Sequence, residues 1–198
     1  MLKAELLSAI AGKNRGISAT DLDQQTILAA ITELESTNPH PQPLTEAIDL
    51  LAGNWKLIYT TSQSLLGIDK FPLLDLGDIY QCIRPATSSV YNIAEVSSFL
   101  PGLSGLVAII AGFTPTSAAR VNVAFNRSLI SLQGLMNYST PGSLITAIES
   151  GQKFTAIDLK INRQNKEPAW LEVTYLDDNL RIGRGNEGNV FVLTKDHS

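Results

Sequence analysis

The sequence predicts an α+β, mainly β protein: an antiparallel meander of about eight or nine strands preceded by two to three N-terminal helices. Three observations carry that expectation. Apolar residues recur at helical spacing up to about residue 52, and from Gly53 onward they alternate one by one. Turn residues then cut the alternating region into short runs, with no βαβ rhythm and no internal repeat. Helices before strands is the α+β order. Residues 1–52 therefore read as a helical extension packed on one structural unit, residues 53–198.

In the first helix Leu2, Leu6, Leu7 and Ile10 share one face. The segment GKNRG, residues 12–16, breaks it. Ser18 or Thr20 can cap a second helix, with Asp21 and Asp23 in its first turn, at the positive end of the helix dipole. Leu22, Ile27, Ala30, Ile31 and Leu34 give that helix its apolar face. NPHPQP, residues 38–43, ends it, because proline has no N–H to donate and clashes with the preceding turn. A short third helix over residues 44–51 leads into Gly53.

In the second region Trp55, Leu57 and Tyr59 alternate with Lys56, Ile58 and Thr60. Val121, Val123 and Phe125 alternate with Arg120, Asn122 and Ala124, and Leu171, Val173 and Tyr175 with Glu172 and Thr174. Further strands are expected over residues 79–83, 90–96, 129–135, 154–161, 180–183 and 189–194. Turns are expected at Asn126-Arg127, Pro141-Gly142, Asp178-Asn179 and residues 185–188. Such a set closes as a barrel or folds as a sandwich.

Composition narrows the chemistry. Of 198 residues 44% are hydrophobic and only 17% charged, against roughly 25% charged in ordinary domains. That apolar content excludes disorder. With 15 basic and 19 acidic residues, no basic surplus exists to neutralise phosphates, so no nucleic-acid partner is expected. The single cysteine, Cys82, excludes an internal disulfide framework and a multi-cysteine metal site; it reads as a small buried hydrophobe. His40 and His197 are the only histidines, one in a Pro-rich stretch and one at the end. No enzyme activity, cofactor or metal is expected. At the N-terminus Ala9 and Ala11 imitate a signal-cleavage pattern, but the apolar stretch is short and contains Glu5, so an amphipathic helix is expected instead, with no transit leader.

The most apolar run is FLPGLSGLVAIIAGF, residues 99–113. As a helix it would reach about 22 Å, short of the roughly 30 Å hydrocarbon core. Pro101, Gly102, Gly105 and Gly112 argue against a regular strand or helix throughout. It reads as a buried core segment, a lid over a barrel mouth, or a loop that dips into lipid. In the last case Phe99, Leu100, Leu103, Leu106, Ile109, Ile110 and Phe113 make the membrane contact.

Two apparent motifs fail. GRGNEG, residues 183–188, matches G-x-G-x-x-G, but no helix follows it; it reads as a glycine-rich hairpin turn. Asp177-Asp178-Asn179 begins like a calcium loop, yet Arg181 falls where a ligand oxygen belongs and Ile182 where glycine is needed. Gly53-Asn54-Trp55 is more informative. This G-x-W opens the first strand after a helix, as at the closed end of lipocalin-type barrels, where the ring plugs the narrow end and a late arginine stacks on it. Arg181 and Arg184 are the candidates for that arginine. The surrounding segment, residues 176–192, reads either as a salt-bridged hairpin holding a barrel shut or as a place where Arg181 or Arg184 meets a ligand head group or carboxylate.

Several stretches together resemble the plastid lipid-associated protein family, also called plastid fibrillins or plastoglobulins: AIAGKNRGISAT (9–20), ITELESTNPHPQP (31–43), LLAGNWKLIYTTS (50–62), DIYQCI (78–83) and TYLDDNLRIGRGNEGNVFVL (174–193). They span nearly the whole chain in the family's order, and the last is long and specific. Residues 84–170 match only in general character. Trp55, Tyr59, Asp177, Arg181 and Arg184 fall on the family's characteristic positions. The resemblance implies a lipocalin-like barrel, a hydrophobic small-molecule ligand (lipid, carotenoid or quinone), and peripheral association with thylakoids or lipid droplets. With no transit leader expected, the resemblance implies a cyanobacterial member, thylakoid-associated or cytoplasmic, ahead of a processed plant form at the plastid thylakoid or plastoglobule.

Apolar ligands need little specific chemistry, since each buried methylene contributes about 0.8 kcal/mol. A real site can therefore leave almost no motif. With Trp55 taken as inward-facing, the expected lining is Trp55, Leu57, Tyr59, Val121, Val123, Phe125, Leu171, Val173 and Tyr175, with Arg181 and Arg184 as polar contacts. Two rival readings stand beside this one. The first is a membrane- or droplet-coating scaffold that recruits a partner enzyme and encloses no ligand. The second is a bilin-handling barrel like the phycobiliprotein lyases.

Overall fold

The structure, a computed structural model, describes residues 1–63, 74–98, 103–161 and 169–197. Helix α1 (Leu2–Ile10) and helix α2 (Asp21–Glu35) pack against each other. Thr20 caps α2 in a reciprocal box with Asp23, and Lys13 pairs with Asp23 at 2.8 Å. The Lys13 ion pair and the Thr20 hydrogen bonds hold the Asp23 carboxyl down at about 2. Two single-turn helices follow, α3 (Pro43–Glu46) and α4 (Ile48–Leu51). Among the described residues no helix is long and apolar enough to cross a membrane.

Among the described residues nine antiparallel strands come next: β1 (Gly53–Thr60), β2 (Leu74–Arg84), β3 (Ser89–Ser98), β4 (Gly105–Pro115), β5 (Arg120–Leu132), β6 (Ile157–Lys160), β7 (Ala169–Leu176), β8 (Leu180–Gly185) and β9 (Val190–Asp196). Their order is β4-β3-β2-β1-β9-β8-β7-β5-β6, and β4 also pairs with β5. Eight strands thus close a barrel, while β6 lies outside it. The 13-residue β5 makes both arrangements possible: Arg120–Val123 pairs with β7, and Arg127–Ile130 pairs with β6.

Three expectations need correction. Residues 105–115 form a regular strand despite Gly105 and Gly112. Their apolar run lacks alternation because both faces are covered: Leu106 and Ala108 pack in the outer core, while Val107 packs against the inner one. Asn126-Arg127 is a bulge within one continuous strand, where Ile110 pairs with Arg127 and Ala111 with Phe125. Pro141-Gly142 opens a helix, α5 (Pro141–Glu149), capped by Thr140, with proline at the first position that spares its missing donor.

Helices cover the barrel on two sides. Leu6, Ile10, Ile27, Ile31 and Leu34 of α1 and α2 pack on Tyr59, Tyr175, Leu180, Ile182, Val190 and Val192. Leu144 and Ile145 of α5 pack on Tyr91, Ile93, Leu106 and Leu129. A third core lies inside the barrel, where Leu51 of α4 meets Trp55, Leu57, Val173, Leu176 and Leu193.

Candidate ligand cavity

The interior is not filled by its own side chains. A cavity of about 740 Å³ runs through it, within the roughly 300–1,000 Å³ usual for small-molecule sites. The α3–α4 segment closes one end, with Leu44, Ile48 and Leu51 against the cavity. That segment is pinned from three directions. The Leu44 N–H donates to the Ala118 carbonyl (3.0 Å), the Trp55 indole N–H to the Leu51 carbonyl (2.9 Å), and the Lys195 ammonium to the carbonyls of Leu50 and Ala52. At the other end the cavity reaches the exposed Asn186 and Glu187 of the β8–β9 turn.

Of the expected lining, Leu57, Val121, Val123, Phe125, Leu171 and Val173 border the cavity, and Arg181 joins them. Trp55 is 0% exposed within the inner core. Arg181 lies 5.1 Å and Lys195 4.4 Å from its ring centroid. Tyr59 and Tyr175 are corrected: both turn outward onto the α1–α2 core. The reason is a register shift between Leu57 and Tyr59 on β1 and another between Val173 and Tyr175 on β7. One extra residue reverses the inward parity of everything beyond it. Arg184 is corrected too. It grips Glu35 of α2 through Nε (2.9 Å) and Nη2 (2.7 Å), fastening helix to barrel rather than meeting a ligand.

The membrane-contact set disperses. Ile109 and Phe113 border the cavity. Leu106, 1% exposed, lies in the α5 core, and the half-buried Ile110 packs against that core. Leu103 is 46% exposed, and Phe99 and Leu100 lie outside the described residues. The exposed apolar surface instead includes Ile130 at 40%, Ile157 at 60% and Leu159 at 52%. Residues opposite one another in an antiparallel pair share a face. Val107, which packs on the inner core, lies opposite Ile130, and Ile130 lies opposite Ile157. This ledge therefore continues the inward face of the barrel past the point where β5 stops pairing with β7.

Gln81 and Asn92 are polar residues on the cavity wall that strand alternation by itself did not mark. Gln81 interrupts the apolar face formed by Ile79 and Ile83, and that interruption was the available signal. Gln81 Nε2 donates to Asn92 Oδ1 (3.0 Å), and Gln81 Oε1 accepts from Arg181 Nη2 (2.5 Å). Arg181 is 1% exposed, and burial lowers its guanidinium to about 9. It reaches across the interior from β8 to β2, over the Trp55 ring.

A closed eight-stranded antiparallel barrel with a G-x-W at its closed end, an internal cavity and flanking helices defines a lipocalin-like protein. The chain belongs to the PAP_fibrillin family, whose profile matches residues 1–194. It is 33% identical over 225 residues to the "Light-induced protein, chloroplastic" of Solanum tuberosum, covering 100% of this chain and 68% of that one. To the "Chromoplast-specific carotenoid-associated protein, chromoplastic" of Cucumis sativus it is 31% identical over 223 residues, covering 100% and 68%. To "Plastoglobulin-1, chloroplastic" of Pisum sativum it is 30% identical over 226 residues, covering 100% and 61%. No solved structure matches the chain significantly.

Proposed function

We propose that this protein encloses one hydrophobic small molecule, a lipid, carotenoid or quinone, and associates peripherally with a lipid surface, without catalysing a reaction. The observation that carries the reading is the cavity of about 740 Å³, walled by Leu57, Val121, Val123, Phe125 and Val173. A sixteen-carbon chain buried there contributes on the order of 10 kcal/mol before ordering costs. The relatives whose names are carotenoid-associated and plastoglobulin support the same direction. Thylakoids or lipid droplets of a plastid or a cyanobacterium are the surfaces we assign to it.

The apolar ledge of Ile130, Ile157 and Leu159 supports contact with lipid beside the cavity, so that a ligand passes between bilayer and barrel without crossing water. Binding of β-carotene, decylplastoquinone and palmitate to delipidated protein tests the carrier reading. One equivalent of at least one probe per chain is expected, and Phe125→Asp should abolish it. If no probe binds, the chain is a coat. That second reading rests on the ledge alone. Its signature is flotation with galactolipid vesicles that an Ile157→Ser/Leu159→Ser double variant loses.

A further inference from the structure

We propose that the ligand of the barrel is an amphiphile with a carboxylate head, held head-down at the closed end by Arg181. The inference rests on the carrier reading and narrows it. Among the described residues Arg120, Arg127 and Arg184 each turn two nitrogens onto a carboxylate, Glu172, Asp158 and Glu35 respectively. Arg181, more buried than any of them, turns none onto one. Among the described residues its one hydrogen bond runs from Nη2 to the Gln81 side-chain carbonyl, and Nε and Nη1 have no hydrogen-bond partner there.

A buried cation without a counter-ion is destabilising, and the Trp55 face offsets only part of that. The same ring also faces Lys195 on a second approach, which adds positive charge to this end. A guanidinium fork matches a carboxylate geometrically, so an incoming acid head supplies the missing partner. The neighbouring wall fits such a head. Gln81, bonded to Arg181, and Asn92 form a polar row on the wall, while Val121, Val123, Phe125 and Val173 suit the chain behind it. A pure hydrocarbon would fill the volume and leave the guanidinium unpaired.

The test compares palmitate with methyl palmitate, which has the same chain and no charge, on the delipidated full-length protein by calorimetry. β-Carotene serves as the uncharged control. Palmitate is expected to bind at least about tenfold tighter than the ester. Arg181→Met should bring that ratio to about one. Gln81→Glu places an internal carboxylate against Arg181 and should do the same while preserving the fold, so it decides the matter if Arg181→Met fails to fold. Equal binding of acid and ester to the unaltered protein, or a ratio unmoved by Gln81→Glu, overturns the anchor and leaves the carrier reading standing. Binding of β-carotene alone has the same meaning. Binding of no probe overturns both.

Discussion

Cys82 is withdrawn from water on the outer face of β2, beneath the α5 core, and burial pushes its thiol up to about 12. At pH 8 the thiolate, which is the reactive form, is a negligible fraction. Iodoacetamide should therefore leave the native protein unmodified at pH 8 and alkylate it fully in urea, with mass spectrometry as the readout. Gly16 is constrained differently. Its φ is +109°, and a Cβ there would stand 2.7 Å from the Thr60 carbonyl oxygen. That carbonyl belongs to β1, where the Thr60 N–H already donates to the Arg15 carbonyl at 3.0 Å, so the strand cannot retreat without losing the bond. Gly16→Ala should lower the unfolding free energy by about 1–3 kcal/mol, measured by denaturant titration.

At the scale of elements, helices reach the barrel through groups that the strands leave free. Asn38, in the proline-rich stop after α2, donates to the carbonyl of the bulge residue Thr174 (2.9 Å) and accepts from the Leu176 N–H (3.1 Å). Asp177, in the β7–β8 turn, pairs with Lys3 of α1 at 2.8 Å and accepts from the N–H groups of Asn179 and Leu180 and from the Tyr175 hydroxyl. Burial raises its carboxyl, but these bonds outweigh that and hold it below the ordinary 3.8. A folded-state value below the unfolded one means that the carboxylate's stabilisation is complete above about pH 4 and is lost as the pH falls through the lower folded value. Asp177→Asn should lower stability at pH 7 and show a shallower further loss between about pH 4 and pH 2 than the unaltered chain, read from urea unfolding at each pH.

The described residues gather into three apolar cores, and the N-terminal extension completes one of them. Without α1 and α2, Tyr59, Tyr175, Ile182 and Val192 would face water. We expect residues 1–52 and the barrel to unfold as one cooperative unit, because a core shared between them cannot open halfway. Removal of residues 1–52 should give a chain that binds anilinonaphthalene sulfonate strongly and aggregates. A soluble, cooperatively folding truncation would show the extension to be a separate domain. Loss of α3 and α4 in that truncation also opens the cavity floor, so ligand retention should fail with it.

Alternation along β1, β5 and β7 made the barrel legible, and it placed Leu57, Val123 and Val173 inward because a strand has a strict period of two. G-x-W pointed to the closed end, where Arg181 rather than Arg184 stacks on Trp55. The sequence by itself determined the order of elements, the apolar character of the interior and the family. It could not reveal the bulges that turned Tyr59 and Tyr175 outward, because beyond each bulge the outer face is covered by α1 and α2 and a large apolar residue suits either face. For the same reason β4 was hidden within its own hydrophobicity. Tertiary structure alone decided which arginine found a carboxylate and which, among the described residues, was left inside the barrel without one. Glu35, Gln81 and Arg181 come from segments roughly 50 to 150 residues apart, and only closure of the barrel fixes their distances.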